Sequence, residues 1–417
     1  MEQHEVHSKP TGVRSLPRNL WAVSLTSFFM DVSSEMVLNV LPLFLSNVLG
    51  VKTNVIGLIE GIAEATASIL RLFSGWLSDR LGSRKWLAVA GYGISALSKP
   101  FFYVANSWGV VAGVRWADRV GKGVRTAPRD ALVADSVSES QRGLAFGLHR
   151  AADTGGAALG LLIALIVVWF FGSRVTLQES TFRTLVLISL LPAALAVLSL
   201  ALGAQETAAK GKAEAPKIGF RGLGKQFAIF MVIVGLFDLG NSSDAFIILR
   251  ANAAGLSTPG VLAMLLTFNL VYAVISTPAG SLSDRIGRDR LLIGGWLLYA
   301  AIYLGFALAG AGWQIWALYL VYGLYYGMAY GTAKAMVADV APAHLRGIAF
   351  GTYAAVLGVL DFPASVIAGV LWDGVGGWSG FGAGAPFLFG SAMALIAAVS
   401  MWAWRRSATE AQRHREG

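Results

Sequence analysis

The feature that most constrains this chain is the repeated occurrence of long apolar runs. Twelve stretches, near 19–48, 54–78, 86–106, 108–127, 143–171, 182–203, 226–249, 258–282, 291–310, 313–333, 347–371 and 385–404, are apolar enough to read as membrane spans. A helix needs about 20 such residues to cross a bilayer. The runs are long and lack period-two alternation, so they read as helices rather than barrel strands. Composition agrees. Of the 417 residues, 55% are hydrophobic and 14% charged, and the mean hydropathy is +0.61. An ordinary soluble domain is about 25% charged. A soluble enzyme, a disordered chain and a nucleic-acid binder are therefore excluded, despite a net charge of +9 and a pI near 9.8. The 49 glycines suit closely packed transmembrane helices. With no cysteine there is no disulfide framework, thiolate metal site or cysteine nucleophile.

The basic residues sort by side. Twenty-three of the 33 fall in the tails, in the central linker and after spans 2, 4, 8 and 10, and only Lys52, Lys99, Arg174, Arg183 and Arg250 fall on the opposite side. The positive-inside rule then places both termini in the cytoplasm. Residues 1–17 read as a cytoplasmic N-terminal tail rather than a signal peptide. A polar linker at 204–225 separates six spans in 18–203 from six in 226–405, and 406–417 form a cytoplasmic tail. The halves repeat. Gly75-Trp-Leu-Ser-Asp79-Arg80-Leu-Gly82 recurs as Gly280-Ser-Leu-Ser-Asp284-Arg285-Ile-Gly287. Residues 131–151 match 335–355 at 10 of 21 positions, with Ala-Leu-Val-Ala-Asp135 against Ala-Met-Val-Ala-Asp339. Duplication around a linker indicates two parallel bundles with a site between them.

At this level the chain resembles the major facilitator superfamily of secondary transporters, over residues 18–405. The loop after span 2, Gly75-x3-Asp79-Arg80-x-Gly82-x-Arg84-Lys85, is similar to that family's cytoplasmic loop motif, and the second copy from Gly280 to Arg290 is nearly complete. The resemblance implies an all-α integral membrane fold of twelve transmembrane helices in two pseudo-symmetric six-helix bundles. In the motif an Asp79 at a helix end can pair with an arginine or a neighbouring helix N-terminus and latch one conformation. Arg119-x-x-Lys122-Gly123 resembles the family's span 4 motif, whose arginine is implicated in proton coupling, with Lys122 in place of the usual glutamine-like residue. Gly147, Gly155, Gly156 and Gly160 match part of a drug-antiporter motif in span 5, but its proline is missing.

Ionisable groups inside spans cost about 2.5–3.5 kcal/mol each on insertion scales, yet the N-terminal half keeps eleven. They are Asp31, Glu35, Glu60, Glu64, Asp118, Asp153, Arg71, Arg115, Arg119, Lys122 and Arg150. Asp31/Glu35 and Glu60/Glu64 each share a helix face. Arg115, Asp118, Arg119, Lys122, Arg125 and Arg129 form one stripe on span 4, which must face a cavity or a seam. The corresponding stripe on span 10 is aromatic, with Tyr319, Tyr322, Tyr326 and then Tyr330. Proton-coupling candidates are Asp31, first, with Glu35, Glu60, Glu64, Asp118, Arg119 and Asp153. Substrate-binding candidates are Arg115, Lys122, Arg150, Tyr319, Tyr322, Tyr326, and Asp238, Asn241 and Asp361 around a polar break in span 7 and on span 11. Arg150 and Asp153 are expected to partner the charges of spans 4 and 1. The competing reading is a rigid structural network with packed tyrosines.

The expected activity is alternating-access transport of a small anionic or zwitterionic organic solute, as proton-coupled efflux by antiport. Symport import, and a flippase or sensor on the same fold, are the alternatives. A membrane enzyme is disfavoured, since no nucleophile–base or metal-spaced cluster is present. The expected partners are the solute and the bilayer. No cofactor, metal or nucleic acid is expected, the proton gradient is the expected driving force, and the chain is read as a monomer in the plasma (inner) membrane.

Overall fold

The computed structural model describes residues 16–138, 141–172, 175–207 and 220–416, without the side chains of 276–286, 327–331, 343 and 408–416. The described chain is all-helical. We label its rods α1 (Arg18–Leu38, carried on by Leu41–Leu43 and a π-helical turn Phe44–Val48), α2 (Thr53–Leu81), α3 (Arg84–Ser98, carried on by Pro100–Tyr103), α4 (Trp108–Ser136), α5 (Arg142–Phe171) and α6 (Glu179–Gly203). The second series is α7 (two pieces, Gly224–Leu239 and Ala245–Ala253), α8 (Thr258–Ile286), α9 (Arg288–Leu308), α10 (Gly312–Val340), α11 (Arg346–Asp373) and α12 (Ala385–Glu416).

The breaks have local causes. Pro42 and Pro100 sit at the start of a short helical piece, where a missing N–H costs nothing. α7 stops at Gly240, and Asn241–Ser243 are non-helical before the second piece begins. Serine and asparagine bond the backbone locally and so compete with the helix ladder.

Packing follows the repeat. In the first half α1 lies against α5 and α6, α3 against α4 and α6, and α2 against α4. In the second half α9 lies against α10 and α12, α8 against α10, and α7 against α11 and α12. Two seams join the halves, α2 on α11 and α5 on α8. Because α2 corresponds to α8, and α5 to α11, these are one contact seen twice. Small residues permit the approach. At the α2–α11 seam, a Cβ on Gly57 or Gly61 would sit 2.4 Å or 3.0 Å from the carbonyl oxygens of Ser365 or Phe362, and within the first half one on Gly156 or Gly160 of α5 would sit 2.4 Å or 2.5 Å from those of Phe28 or Val32 on α1. Thr53 N–H donates to the Asp373 carboxylate, Asn54 donates to the Gly374 carbonyl at 2.7 Å, and Thr258 N–H donates to Val175 O at 3.2 Å. Both seams are thus closed at the end opposite the two tails.

Seven described segments are long and apolar enough to cross a membrane: 18–48, 142–171, 179–203, 258–275, 288–308, 346–373 and 385–407. The other five rods, α2, α3, α4, the broken α7 and α10, are not among them. All but α3 wall the central cavity described next, where polar residues have a reason to be.

Candidate transport cavity

A cavity of about 440 Å³ lies between the halves. α1, α2 and α4 wall one side; the break in α7, α10 and α11 wall the other.

The first wall is an ion network. Glu60 and Glu64 lie one turn apart on α2, and Arg115, Asp118, Arg119 and Lys122 recur at helical spacing on α4, so two charged faces meet. Arg115 binds Glu60 through two nitrogens, Nη2 to Oε2 at 2.7 Å and Nε to Oε1 at 3.2 Å, with both residues buried. Glu64 is shared, 2.6 Å from Arg119 and 3.6 Å from Arg115. Asp118 is buried 4.0 Å from Arg115. Arg125 donates to Ser95 Oγ at 2.6 Å and lies over the Tyr92 ring. Asp31, Glu35 and Lys122 line the cavity beside this network, and Asn39 donates to Glu35 at 2.6 Å. Sharing forks and hydrogen bonds offsets the desolvation of so many charges.

Two residues, Arg150 and Lys99, sit elsewhere than the sequence suggested. Arg150 is exposed, and donates to the Tyr272 hydroxyl at 3.0 Å across the α5–α8 seam. Asp153 faces Arg129 of α4 and Asp31 of α1. Asp153 is 3.8 Å from the buried His149 on its own helix. Lys99, read as a loop residue on the far side, is almost fully buried. Its Nζ donates to Ser33 Oγ at 2.5 Å and Ser34 Oγ at 3.1 Å on α1. α3 resumes after Pro100 instead of ending, which folds Lys99 inside.

The second wall is aromatic. Tyr322 and Tyr326 line the cavity, while Tyr319 is buried behind them with its ring 4.7 Å from that of Phe268. Tyr299, Tyr303 and Tyr325 extend the cluster. Tyr330 lies outside the described side chains. Asn241, Asp244 and Asp361 face the cavity. Asp238 is buried just behind the α7 break, 6% exposed.

The loop motif closes a second network at the end that carries the tails. Gly82 caps α2 at φ 62°, a left-handed conformation that glycine adopts without strain. Arg84 reaches Asp79 at 2.9 Å and also pairs with Asp135 on α4. Its repeat partner Arg288 binds Asp339, the partner of Asp135, at 2.6 Å. The sequence suggests a cytoplasmic gate contact of Lys334 with Asp339 and Asp130; the structure adds Arg288 as a partner of Asp339, and gives Asp135 the matching place beside Arg84. Arg80 and Lys85 lie over Trp76 and Trp86 and make no contact with the cavity. Gly75 of α2 packs near Ala127 of α4. The side chains of Asp284 and Arg285, and Gly280 with them, lie outside those described; Gly287 has φ 92° at the head of α9.

Glu206, unremarked in the sequence, caps α3. Its carboxylate accepts from the backbone N–H groups of Arg84 at 2.8 Å and Lys85 at 3.0 Å, and from Ser83 Oγ at 3.1 Å. Partial burial would push this carboxyl up, but the donors outweigh it and hold it below the ordinary glutamate value of 4.5.

A duplicated helical fold with a charged cavity at the junction of its halves defines a multi-pass membrane transporter. The family model for the Major Facilitator Superfamily matches residues 23–364 and 228–417. An uncharacterized MFS-type transporter of Methanocaldococcus jannaschii is 32% identical over 392 residues, 93% of this chain and 94% of the relative. The fosmidomycin resistance protein of Escherichia coli is 24% identical over 83% of this chain and 87% of its own. Among solved structures, a nucleoside transporter superposes with a TM-score of 0.74 at 13% identity, over 92% of this chain and 99% of its own. A D-xylose–proton symporter does so with a TM-score of 0.70 at 16% identity, over 92% and 96%. This chain belongs to the major facilitator superfamily: it is an integral membrane secondary transporter for a small molecule, not an enzyme.

Proposed function

We propose that the chain exports a small anionic or zwitterionic organic solute by proton antiport. In this reading all twelve rods cross the plasma (inner) membrane as two six-helix bundles, with both termini cytoplasmic, and the chain works as a monomer. The observation that carries the reading is the cavity wall on which Arg115, Arg119, Lys122 and Arg125 stand among Glu60, Glu64, Asp118 and Asp31. A solute anion entering this wall competes with the carboxylates for the same cations. Protonating a carboxylate frees a cation for a solute anion, which by itself couples the two with the same sign, as in symport; antiport follows where proton and solute exclude each other, as when the ammonium of a zwitterion and a proton compete for one carboxylate. Tyr322 and Tyr326 offer flat apolar surface to the organic part. The two seams are the elements that would open and close, with the Arg84–Asp135 and Arg288–Asp339 pairs latching the cytoplasmic ends. A relative named for fosmidomycin resistance, and a proton symporter of the same fold, support export and proton coupling respectively.

The test is reconstitution in liposomes, with anionic, zwitterionic and cationic solutes offered with and without a pH gradient. The expected result is an anionic or zwitterionic solute driven against its gradient by protons moving the other way. If no solute moves and none dissipates the gradient, the coupled-transport reading fails.

A further inference from the structure

The repeat places one acid in both halves with different surroundings. Gly156 on α5 packs against Phe28 on α1, and its repeat partner Leu360 on α11 packs against Gly235 on α7. Phe28 and Gly235 lie three residues before Asp31 and Asp238, so these aspartates are repeat partners. Two and three residues further on, Ser33 and Ser34 correspond to Gly240 and Asn241. In the first half that pair is bonded by the ammonium of Lys99. In the second half it is bonded by the neutral Tyr299 hydroxyl, 3.2 Å from both Gly240 O and Asn241 Oδ1. The fixed cation of one half has no counterpart in the other.

Asp238 is left with a buried carboxyl and little to hold it. Asn241 supplies a side-chain hydrogen bond, and Oδ2 has none. The groups that face it are Asp361 from α11, Tyr325 from α10 and Tyr299 from α9, while α12 offers Gly390 and Met393 to the neighbouring Gly240. Among the described residues, Asp238, Asp244 and Asp361 form no ion pair with a basic side chain. The first piece of α7 also ends here, and a helix C-terminus carries partial negative charge. A lone carboxylate in such a place costs several kcal/mol, so the charge must be neutralised by something the side chains do not supply.

We propose that Asp238 is a binding site for a mobile monovalent cation, a proton or a sodium ion, taken up by the second half where the first half carries Lys99. Asp361 lines the cavity and faces Asp238, so it is the entry group. The proposal rests on the transporter reading of the cavity. It adds an ion site at the α7 break to the first-half acids.

Infrared difference spectra between alkaline and acid pH test it on the purified full chain, in sodium chloride and in choline chloride. The wild type is expected to show a carboxylic C=O component that Asp238→Asn removes and Asp238→Glu restores at a shifted frequency. A lower titration midpoint in sodium than in choline marks sodium as the ion; equal midpoints mark the proton. A monodisperse Asp238→Asn protein whose spectrum equals the wild type in both salts overturns the proposal. If Asp238→Asn does not fold, an unshifted spectrum of Asp238→Glu overturns it instead. No transported solute is needed, so the outcome is separate from that of the liposome screen.

Discussion

The two halves descend from one repeat but handle charge in opposite ways. In the first, buried acids on α1, α2 and α4 stand beside buried bases, and the tightest contact is the two-pronged Arg115–Glu60 pair. In the second, Asp238, Asp244 and Asp361 form no ion pair among the described residues, and only Asp361 lies near fixed cations, Arg71 and Arg119 of the first half. A paired network changes only when a proton or a solute breaks a pair. Unpaired acids respond to what arrives. The division suits a protein in which one half holds a charged solute and the other registers a mobile ion.

The sharpest way to break this comparison is to break a pair in the first half. Arg115→Met strands Glu60 in the interior, and orphaning one buried partner costs about 3–5 kcal/mol. Thermal unfolding followed by tryptophan fluorescence should show the largest drop of any variant here, with Glu60→Gln/Arg115→Met recovering part of it. Asp361→Asn removes no cation's partner and should leave the melting temperature nearly unchanged. An equal drop in both would erase the contrast between the halves.

Next come the helix contacts. Gly156→Ala places a Cβ against the Phe28 carbonyl and should cost about 1–3 kcal/mol by overpacking. Gly147→Ala meets nothing within 4 Å and should be silent or slightly stabilising. Both are read by the same melts.

The latch acids rank third. Asp135→Asn weakens the pair with the largely buried Arg84 and should cost about 1–2 kcal/mol. Asp339→Asn touches a more exposed pair and should cost under about 1 kcal/mol. A spectroscopic distance across the α2–α11 seam, from spin labels on introduced cysteines in this cysteine-free chain, should change more for the first than for the second.

The smallest effect belongs to Glu206→Gln, under about 1 kcal/mol after solvent screening. Its folded-state value lies below the ordinary 4.5, so the wild-type advantage is present above that pH and fades as pH falls through the lower folded value. Melts of both proteins from neutral pH downward should converge. A gap that widens in acid would remove the capping role.

Much of this was legible in the chain. The family could be read from the loop motif and its copy, because a motif constrains residues that topology alone leaves free. The charged face of α4 could be read from helical spacing, since Arg115, Asp118, Arg119 and Lys122 can share only one face. Partners on other helices could not. Nothing in one helix tells Glu60 to meet Arg115 rather than Arg119, and nothing told Arg150 to turn toward Tyr272. Lys99 falls in the 86–106 run but was counted with the far side, because only the serines of α1 that receive its ammonium show that it is buried. Asp135 and Asp339 stood in plain repeat, but their importance depends on Arg84 and Arg288 arriving from another rod.

By itself, then, the sequence determined what is set by local period and by solvent. It placed the apolar runs, the duplication and the faces on which charges gather, because each depends on a residue and its near neighbours along one helix. The tertiary structure decided which charges are paired and which stand alone. That depends on how α2 meets α4, how α3 meets α1 and how α7 breaks beside α9 and α11. Pairing energy falls off over a few ångströms, so only the packed arrangement could show that the acids of one half are paired and that Asp238 of the other has no basic partner among the described residues.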